Sequence, residues 1–258
     1  MKTNLARYFT VLLFVMAAFA QTSALAEKRE LYQLKVYHLK DEKQRDCLEN
    51  YLKQAYIPAL HRAGIGKVGV FKPAGNADSL IYVLIPFKSA KQFFSLSDNI
   101  AADKNYLTAG DDYLNTSFDN PVFKSIESIL MESISGMPVL SVPTLKSDAA
   151  DRIYELRRYE AATEKLHENK ISQFNNGELD IFKRLGFNTV FCGKVKAGSK
   201  LPSLVYMTSF ENKAERDAHW KAFSADSEWI KLNSQPKYAH NFLRADIYLL
   251  NPVSYSEI

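Results

Sequence analysis

The sequence contains one pattern of residues twice, and this repeat restricts the fold more than any other feature. Three segment pairs carry it: Glu30–Tyr37 with Arg152–Tyr159, Leu60–Ile65 with Phe182–Phe187, and Ser79–Tyr82 with Ser203–Tyr206. The first two pairs are 122 residues apart (152 − 30 and 182 − 60), and the third is 124 apart (203 − 79). A nearly constant offset indicates two copies of one folding unit in a single chain.

Residues 1–26 have the character of a secretory signal peptide. Lys2 and Arg7 form a positive start, Tyr8–Ala20 is almost wholly apolar, and Ala24–Ala26 supplies the small residues of a cleavage site. The alternative is a membrane anchor, but an apolar helix of this length would span only roughly 20 Å of a hydrocarbon core about 30 Å thick. We therefore expect a secreted or periplasmic protein.

The mature chain is nearly neutral. Removal of residues 1–26 takes away two cations, which leaves 31 Lys and Arg (33 − 2) against 29 Asp and Glu. This balance gives no electrostatic reason to expect binding to nucleic acid or to an anionic membrane surface. No later stretch is long and apolar enough to span a membrane. The remaining length suits two domains of roughly 110 residues, and a monomer and a homo-oligomer are both compatible with it.

Two cysteines, Cys47 and Cys192, are too few for a disulfide-stabilised scaffold. The repeat does not relate them, because the 122-residue offset places Cys47 opposite Asn169. The predicted elements place Cys47 on a helix and Cys192 on a strand of the other unit. We expect unpaired, buried cysteines, with a single bridge between the units as the alternative.

Each unit is predicted to follow the order β-α-β-β-α-β, the split βαβ arrangement of ferredoxin-like domains. Pro58 should kink or break the first long helix, and Gly64 should end it. Capping boxes at Ser89–Gln92 and Asn212–Glu215 predict where the second helix of each unit begins. The predicted strands are 30–38, 67–72, 80–87 and about 127–135 in the first unit, with about 243–250 as the last strand of the second. The chain thus divides into a signal peptide (1–26), a first unit (27–140), a linker (141–150) and a second unit (151–258).

Several segments in fixed order resemble bacterial NIPSNAP-family proteins. They are Tyr154–Tyr159, Phe174–Phe182, Trp220–Phe223, Asp226–Trp229 and Tyr255–Ile258. The resemblance covers nearly all of residues 29–258. It implies an α+β fold of the dimeric α/β-barrel type, in which two tandem ferredoxin-like units pack sheet to sheet, here within one chain. It implies no particular reaction.

Alternation along the first strand of each unit predicts a polar layer. We assign Tyr154 and Leu156 to the helix-covered face, so their neighbours should face the opposing sheet. That layer would contain Gln33, Lys35, Tyr37, Glu155, Arg157 and Tyr159. One hypothesis is a cleft that binds a small polar or anionic ligand through Lys35, Tyr37, Glu155, Arg157 and Tyr159. The alternative is a hydrogen-bonded layer between the sheets that holds no ligand.

Glu178 falls on the apolar stripe of the second unit's long helix, where a carboxylate is costly unless it is paired. The expected partner is Arg158, which has helix-facing parity, in a structural ion pair. The alternative is a general base with a raised pKa.

The remaining residue patterns predict no metal and no cofactor. The five histidines show no paired metal spacing, and Gly-rich phosphate loops and nucleophile elbows are absent. Two classes of function remain: a binding module for a small ligand or a partner, and a cofactor-free enzyme of the oxygenase or isomerase type that uses the same cleft.

The exported protein is expected to begin at Glu27, because Ala24–Ala26 follows a short apolar run. Intact-mass spectrometry of protein recovered from outside the cytoplasm checks this directly. A mass that still includes residues 1–26 would show that the segment is retained.

Overall fold

The computed structural model describes residues 29–75 and 79–258. The predicted signal peptide, residues 1–26, lies outside the described residues. Eight strands form the described sheet: β1 Leu31–His38, β2 Gly69–Pro73, β3 Leu80–Phe87, β4 Ser125–Ser133, β5 Ile153–Glu160, β6 Asn188–Ala197, β7 Ser203–Phe210 and β8 Arg244–Pro252. The predicted strands agree with these bounds to within about two residues.

Helices follow β1 and β3 in the first half, and β5 and β7 in the second. They are α1 Glu42–Tyr51, α2 Ile57–Arg62, α3 Ala90–Ala101, α4 Lys104–Ala109, α5 Asp111–Leu114, α6 Glu164–Gln173, α7 Leu179–Arg184, α8 Lys213–Ala225 and α9 Ser227–Asn233. Ser89 caps α3 and Asn212 caps α8, each through a side-chain oxygen that accepts from the backbone N–H three residues on. Both capping predictions are therefore confirmed. Within the part of the chain that is described, no helix has the length and apolarity to span a bilayer.

The eight strands close into one antiparallel barrel in the order β1-β3-β2-β8-β5-β7-β6-β4. Each half supplies four neighbouring strands, and the halves join where β2 pairs with β8 and β4 pairs with β6. The predicted fold is confirmed: two β-α-β-β-α-β units form an α/β barrel within one chain. The two sheets enclose a common core and also continue into each other through their edge strands.

The faces of the strands are the reverse of the prediction. Tyr154 and Leu156 lie inside the barrel, in a cluster that contains Tyr32, Leu34 and Val36 of β1. Residues on the other face of β1 and β5, including Tyr37 and Tyr159, pack against the helices. The physical reason is closure: a sealed interior has no solvent for polar groups, so it takes the apolar face of each strand.

The alignment of Ser79–Tyr82 with Ser203–Tyr206 differs by one residue from the equivalence that strand pairing gives. Tyr37 pairs with Ile81 in the first half, and the equivalent Tyr159 pairs with Leu204 in the second. The structural offset for this strand is therefore 123 (204 − 81) rather than 124. A shift of one residue moves a side chain to the opposite face, so Tyr82 lies inside the barrel whereas Tyr206 faces the helices.

Each long helix is interrupted by a π-helical turn at the same place in the repeat. The turns are Leu52–Tyr56 and Phe174–Glu178, which are 122 residues apart (174 − 52). In both, the backbone N–H that follows the turn bonds five residues back. Pro58 lies in the first turn of α2, where its missing N–H costs little. The predicted interruption is thus a widened turn.

Gly64 and Gly186 end the two long helices with φ of 83° and 79°. The next residue of each, Ile65 or Phe187, donates its N–H to the carbonyl five residues back. This is the glycine-dependent end that the sequence predicts.

The two cysteines are free, as predicted. Cys47 lies on α1 and Cys192 on β6, so they belong to different halves. Cys192 is buried and Cys47 is half-buried, which differs from the expectation that both would be buried.

A fragment of residues 27–145 is expected to aggregate or to form dimers. Without the second half, the edges of β2 and β4 have no partner and the apolar inner face of the sheet is exposed to water. Size-exclusion chromatography with light scattering checks this, with the full chain as the control. A monomeric fragment as stable as the full chain would contradict the shared core.

Candidate functional site

A cleft opens between the barrel and the helices of the second half, and we call it the helix-side cleft. Its volume is about 410 Å³. Strand β5 forms the floor, and α6, α8 and α9 form the walls. The lining residues are Arg157, Tyr159, Lys170, Glu178, Arg216, Trp220, Phe223, Ser224, Trp229, Asn233 and Phe242.

Glu155 lies beneath the cleft, with no solvent exposure. Its carboxylate accepts hydrogen bonds from Arg157 Nε at 2.6 Å, from Arg216 Nε at 2.7 Å and from the Trp220 indole at 2.6 Å. Burial opposes ionisation of this carboxyl, but the Arg216 hydrogen bond and the Arg157 charge outweigh it and hold its pKa below the ordinary value. Glu155 is therefore a fixed anion that orients two cations and one indole.

Arg157 lies over a Trp220 ring in the wall of the cleft, with its guanidinium carbon 3.6 Å from the ring centre. Its Nη1 donates to the Tyr159 hydroxyl at 3.2 Å, and that hydroxyl is 2.9 Å from the hydroxyl of Tyr206. A stacked guanidinium held at both ends is a rigid group, so the floor of the cleft has a defined geometry.

Lys170 and Glu178 form a buried ion pair, with Nζ and Oε2 2.9 Å apart. The expected partner of Glu178 was Arg158, and this prediction is wrong. Arg158 points into the barrel, because neighbouring residues of a strand face opposite sides. Lys170 comes from α6 and also donates to Gln173 Oε1 at 3.0 Å.

Aromatic rings surround the Lys170 ammonium. The ring centres of Tyr159, Phe174, Trp229 and Phe242 lie 5.1, 4.9, 5.7 and 5.8 Å from Nζ. Such contacts stabilise a desolvated cation. Gln173 extends the polar contacts through hydrogen bonds with Asn233 at 3.1 Å and Asn241 at 2.9 Å.

The π-helical turn places Glu178 at the cleft. Within this turn Gly177 has φ of 150°, a value that suits glycine, and Glu178 ends the turn before α7. Burial raises the pKa of Glu178, and the nearby Lys170 and Arg157 only partly offset that effect. A buried carboxyl with a raised pKa beside an open cleft is a group that can exchange a proton.

The equivalent space in the first half is filled by tyrosines. Tyr51 stacks on Tyr113 with ring centres 3.7 Å apart and donates to or accepts from Tyr106 at 2.9 Å between hydroxyls. Lys35 occupies the position of Arg157, with Nζ 5.0 Å from the Tyr56 ring centre, and burial lowers its pKa to about 8. The described residues therefore leave a cleft open in the second half and close the equivalent space in the first half.

The candidate site residues separate into two groups in the structure. Glu155, Arg157 and Tyr159 do come together, but beneath the helices of the second half. Lys35 and Tyr37 lie beneath the helices of the first half, so the five do not line one cleft between the sheets. The prediction of one shared cleft between the sheets is wrong, because the strand faces that carry these residues point to the helices.

Sequence reasoning missed several residues of the cleft, namely Lys170, Arg216, Trp229 and Phe242. One signal was available: Lys170 lies on the same helical stripe as Phe174, where an unpaired lysine would be costly. A cation and a carboxylate on one apolar stripe suggest a pair. The lining holds three cations, and with Glu155 beneath it two carboxylates, so the site has a small positive excess. Among residues 29–75 and 79–258, no group of three or more His, Cys, Asp or Glu could hold a metal ion.

Comparisons with known proteins agree with the family and the fold. The family model described as NIPSNAP matches residues 154–257. The resemblance seen in the sequence is thereby confirmed for the second half of the chain, which matches the NIPSNAP family model. Among curated proteins, none matches the chain significantly.

Three solved structures share the whole barrel. A candidate monooxygenase from Lactobacillus acidophilus NCFM has a TM-score of 0.56 and 8% identity, over 87% of this chain and 94% of its own. A candidate monooxygenase from Fusobacterium nucleatum subsp. nucleatum has a TM-score of 0.55 and 8% identity, over 89% and 96%. An anthrone oxidase-like protein has a TM-score of 0.52 and 12% identity, over 88% and 93%. At such identities the likeness establishes a common fold.

Replacing Glu178 by Gln is expected to change how stability depends on pH. Because the folded pKa of Glu178 is raised, its favourable contribution is complete below the unfolded pKa and is lost as the pH rises through the folded pKa. Urea unfolding at about pH 4 and about pH 7 should therefore show the wild type losing stability relative to Glu178→Gln at the higher pH. Each pKa unit of difference corresponds to about 1.4 kcal/mol.

Glu168→Gln is the matched control, because Glu168 lies on α6 and its side chain is 54% exposed. If both variants show the same pH dependence, Glu178 does not titrate abnormally.

Proposed function

We propose that this protein is an exported binding module that takes a small, partly aromatic ligand with an anionic group into the helix-side cleft. Export rests on the signal-peptide character of residues 1–26. The ligand class rests on the cleft, whose volume of about 410 Å³ lies in the range of small-molecule sites.

The observation that carries the proposal is the combination of rigid cations and exposed aromatic rings around an open space. Arg157 lies on the floor and Lys170 on the α6 wall, while the Phe242 ring at the rim is 43% exposed. A flat apolar body would cover such rings, and its anionic group would balance the positive excess. The filled first half strengthens the argument, because the same fold can close this space when no ligand has to enter.

Tryptophan fluorescence reports directly on binding in the cleft. The chain has two tryptophans, and both Trp220 and Trp229 line the helix-side cleft. Binding there should change the intrinsic tryptophan fluorescence, whereas binding elsewhere should leave it nearly unchanged.

Titration with naphthoate, a flat aromatic carboxylate, should quench this fluorescence in a saturable manner. Ser224→Phe should weaken binding about tenfold or more, because Ser224 lies on the rim and a ring there would occupy the cleft. Ala222→Phe is the matched control, since Ala222 is exposed on α8 outside the lining. The proposal is contradicted if the wild type shows no saturable quenching, or if Ser224→Phe binds naphthoate as tightly as Ala222→Phe. Neutral naphthalenemethanol should bind more weakly than naphthoate.

A cofactor-free enzyme of the oxygenase or isomerase type is the second candidate, and Glu178 is the observation that favours it. Its raised pKa and its place on the lining suit a group that removes a proton from a bound molecule. Incubation with a metabolite mixture, followed by mass spectrometry, would identify retained molecules. Conversion of a retained molecule by the wild type, and its retention without conversion by Glu178→Gln, would support the enzyme. Retention without conversion by both proteins would support the module.

A further inference from the structure

A second, smaller cavity lies inside one mouth of the barrel, away from the helix-side cleft. We call it the barrel-mouth pocket, and its volume is about 190 Å³. Both halves of the chain contribute to it, so it exists only when the barrel is closed. The lining residues are Leu34, Val36, His38, Leu80, Tyr82, Glu127, Leu156, Arg158, Lys200, Val205 and Tyr248.

The opposite end of the barrel is covered by the chain itself. Leu140 and Leu145 pack against the interior cluster, and Ile258 belongs to it with 6% exposure. The barrel-mouth pocket is therefore an opening at the other end, and its floor of leucine and valine side chains is apolar.

Most charges around this mouth are paired. His38 and Glu127 are 2.7 Å apart, and Lys200 Nζ is 2.7 Å from Asp246 Oδ2. Arg158 differs, because within the described ranges its guanidinium has no hydrogen bond and no ion pair. A half-buried guanidinium with all five donors unused suits a carboxylate, which can accept two parallel hydrogen bonds from it.

Tyr82 supplies a second unused donor. Its hydroxyl has no hydrogen-bond partner in the described part of the chain. Burial and the neighbouring Tyr248 and Glu127 raise the pKa of Tyr82 to about 12, although Arg158 acts against them. The hydroxyl therefore keeps its proton at neutral pH and can donate to an anion.

Comparison of equivalent positions in the two halves shows that these two donors stand where the other half has apolar residues. Arg158 and Val36 occupy equivalent positions, as do Tyr82 and Val205, because Val36 pairs with Tyr82 and Arg158 pairs with Val205. Each donor thus has a valine as its counterpart in the other half. An interior that needed only packing could have kept valine at all four positions.

We propose that the barrel-mouth pocket binds a small monocarboxylate with a short apolar tail, its carboxylate on Arg158 and Tyr82 and its tail among the leucines and valines below. The volume of about 190 Å³ has room for a carboxylate with a tail of a few carbons, and it is less than half that of the helix-side cleft, about 410 Å³. The two sites are independent, since Arg157 and Arg158 point to opposite faces of β5.

Saturation-transfer NMR with butyrate tests this proposal, and butylammonium serves as a probe of the same shape and opposite charge. The wild type should bind butyrate saturably and should not bind butylammonium. Arg158→Gln should weaken butyrate binding about tenfold or more, the loss expected for a charge-assisted hydrogen bond. Arg244→Gln is the matched control, because it removes the same charge at the same end of the barrel from a side chain that is 59% exposed.

Leu80→Phe provides a second variant that leaves Arg158 in place and fills the pocket from its half-buried rim. It should also abolish butyrate binding, and circular dichroism should show both variants folded. The proposal is overturned if the wild type shows no saturable binding, if butylammonium binds as well as butyrate, or if Arg158→Gln and Arg244→Gln behave alike. Tryptophan fluorescence should not respond to butyrate, so failure here leaves the helix-side cleft untouched.

Discussion

Closure of the barrel is the constraint on which the rest of this structure depends. Once β2 pairs with β8 and β4 pairs with β6, one face of every strand is sealed from water. A sealed interior penalises polar groups by several kcal/mol unless they find partners. The interior is accordingly lined mainly by apolar and aromatic side chains, and the charged groups of the two candidate sites lie in the layer under the helices and at the open mouth. Both candidate sites of this protein lie in those two places.

The buried carboxylate of Glu155 illustrates how the layer under the helices accommodates charge. The side chain has no exposure, yet two arginines and an indole donate to it. Together these donors compensate a charge that would be costly to bury unpaired. In the first half Gln33 stands at the equivalent position and bonds to Ser128 at 2.8 Å. A neutral amide needs no such set of donors: Lys35 stands at the position of Arg157, and both tryptophans of the chain belong to the second half.

The repeat, the element order and the helix ends follow from the sequence because they depend on local chemistry. Gly64, Ser89 and Asn212 act through their own backbone or side-chain oxygen, so their roles are visible without the fold. The choice of face is different. Alternation separates Tyr154 from Glu155, but both faces of β5 are covered here, and only the closed barrel decides which one must be dry.

Side-chain contacts between different helices and strands were equally hard to predict from the sequence. The assignment of Glu178 to Arg158 depended on the reversed face, and the actual partner Lys170, eight residues earlier in the chain, was not among the expected ones. The matched tetrapeptides at Ser79 and Ser203 show a related difficulty. Identity aligned them at 124 residues, whereas strand pairing aligns them at 123, and one residue decides whether a tyrosine is inside or outside.

The π-helical turns limit how the two halves can differ from each other. Each turn inserts one residue into the long helix, so Tyr56 and Glu178 arrive at the same point above β1 and β5. The two turns differ in backbone as well as in side chain, because Asn176 and Gly177 leave helical geometry in the second turn. The kink at Gly177 therefore accompanies the acid at Glu178, so the open half differs from the closed half through its chain path and its side chains together.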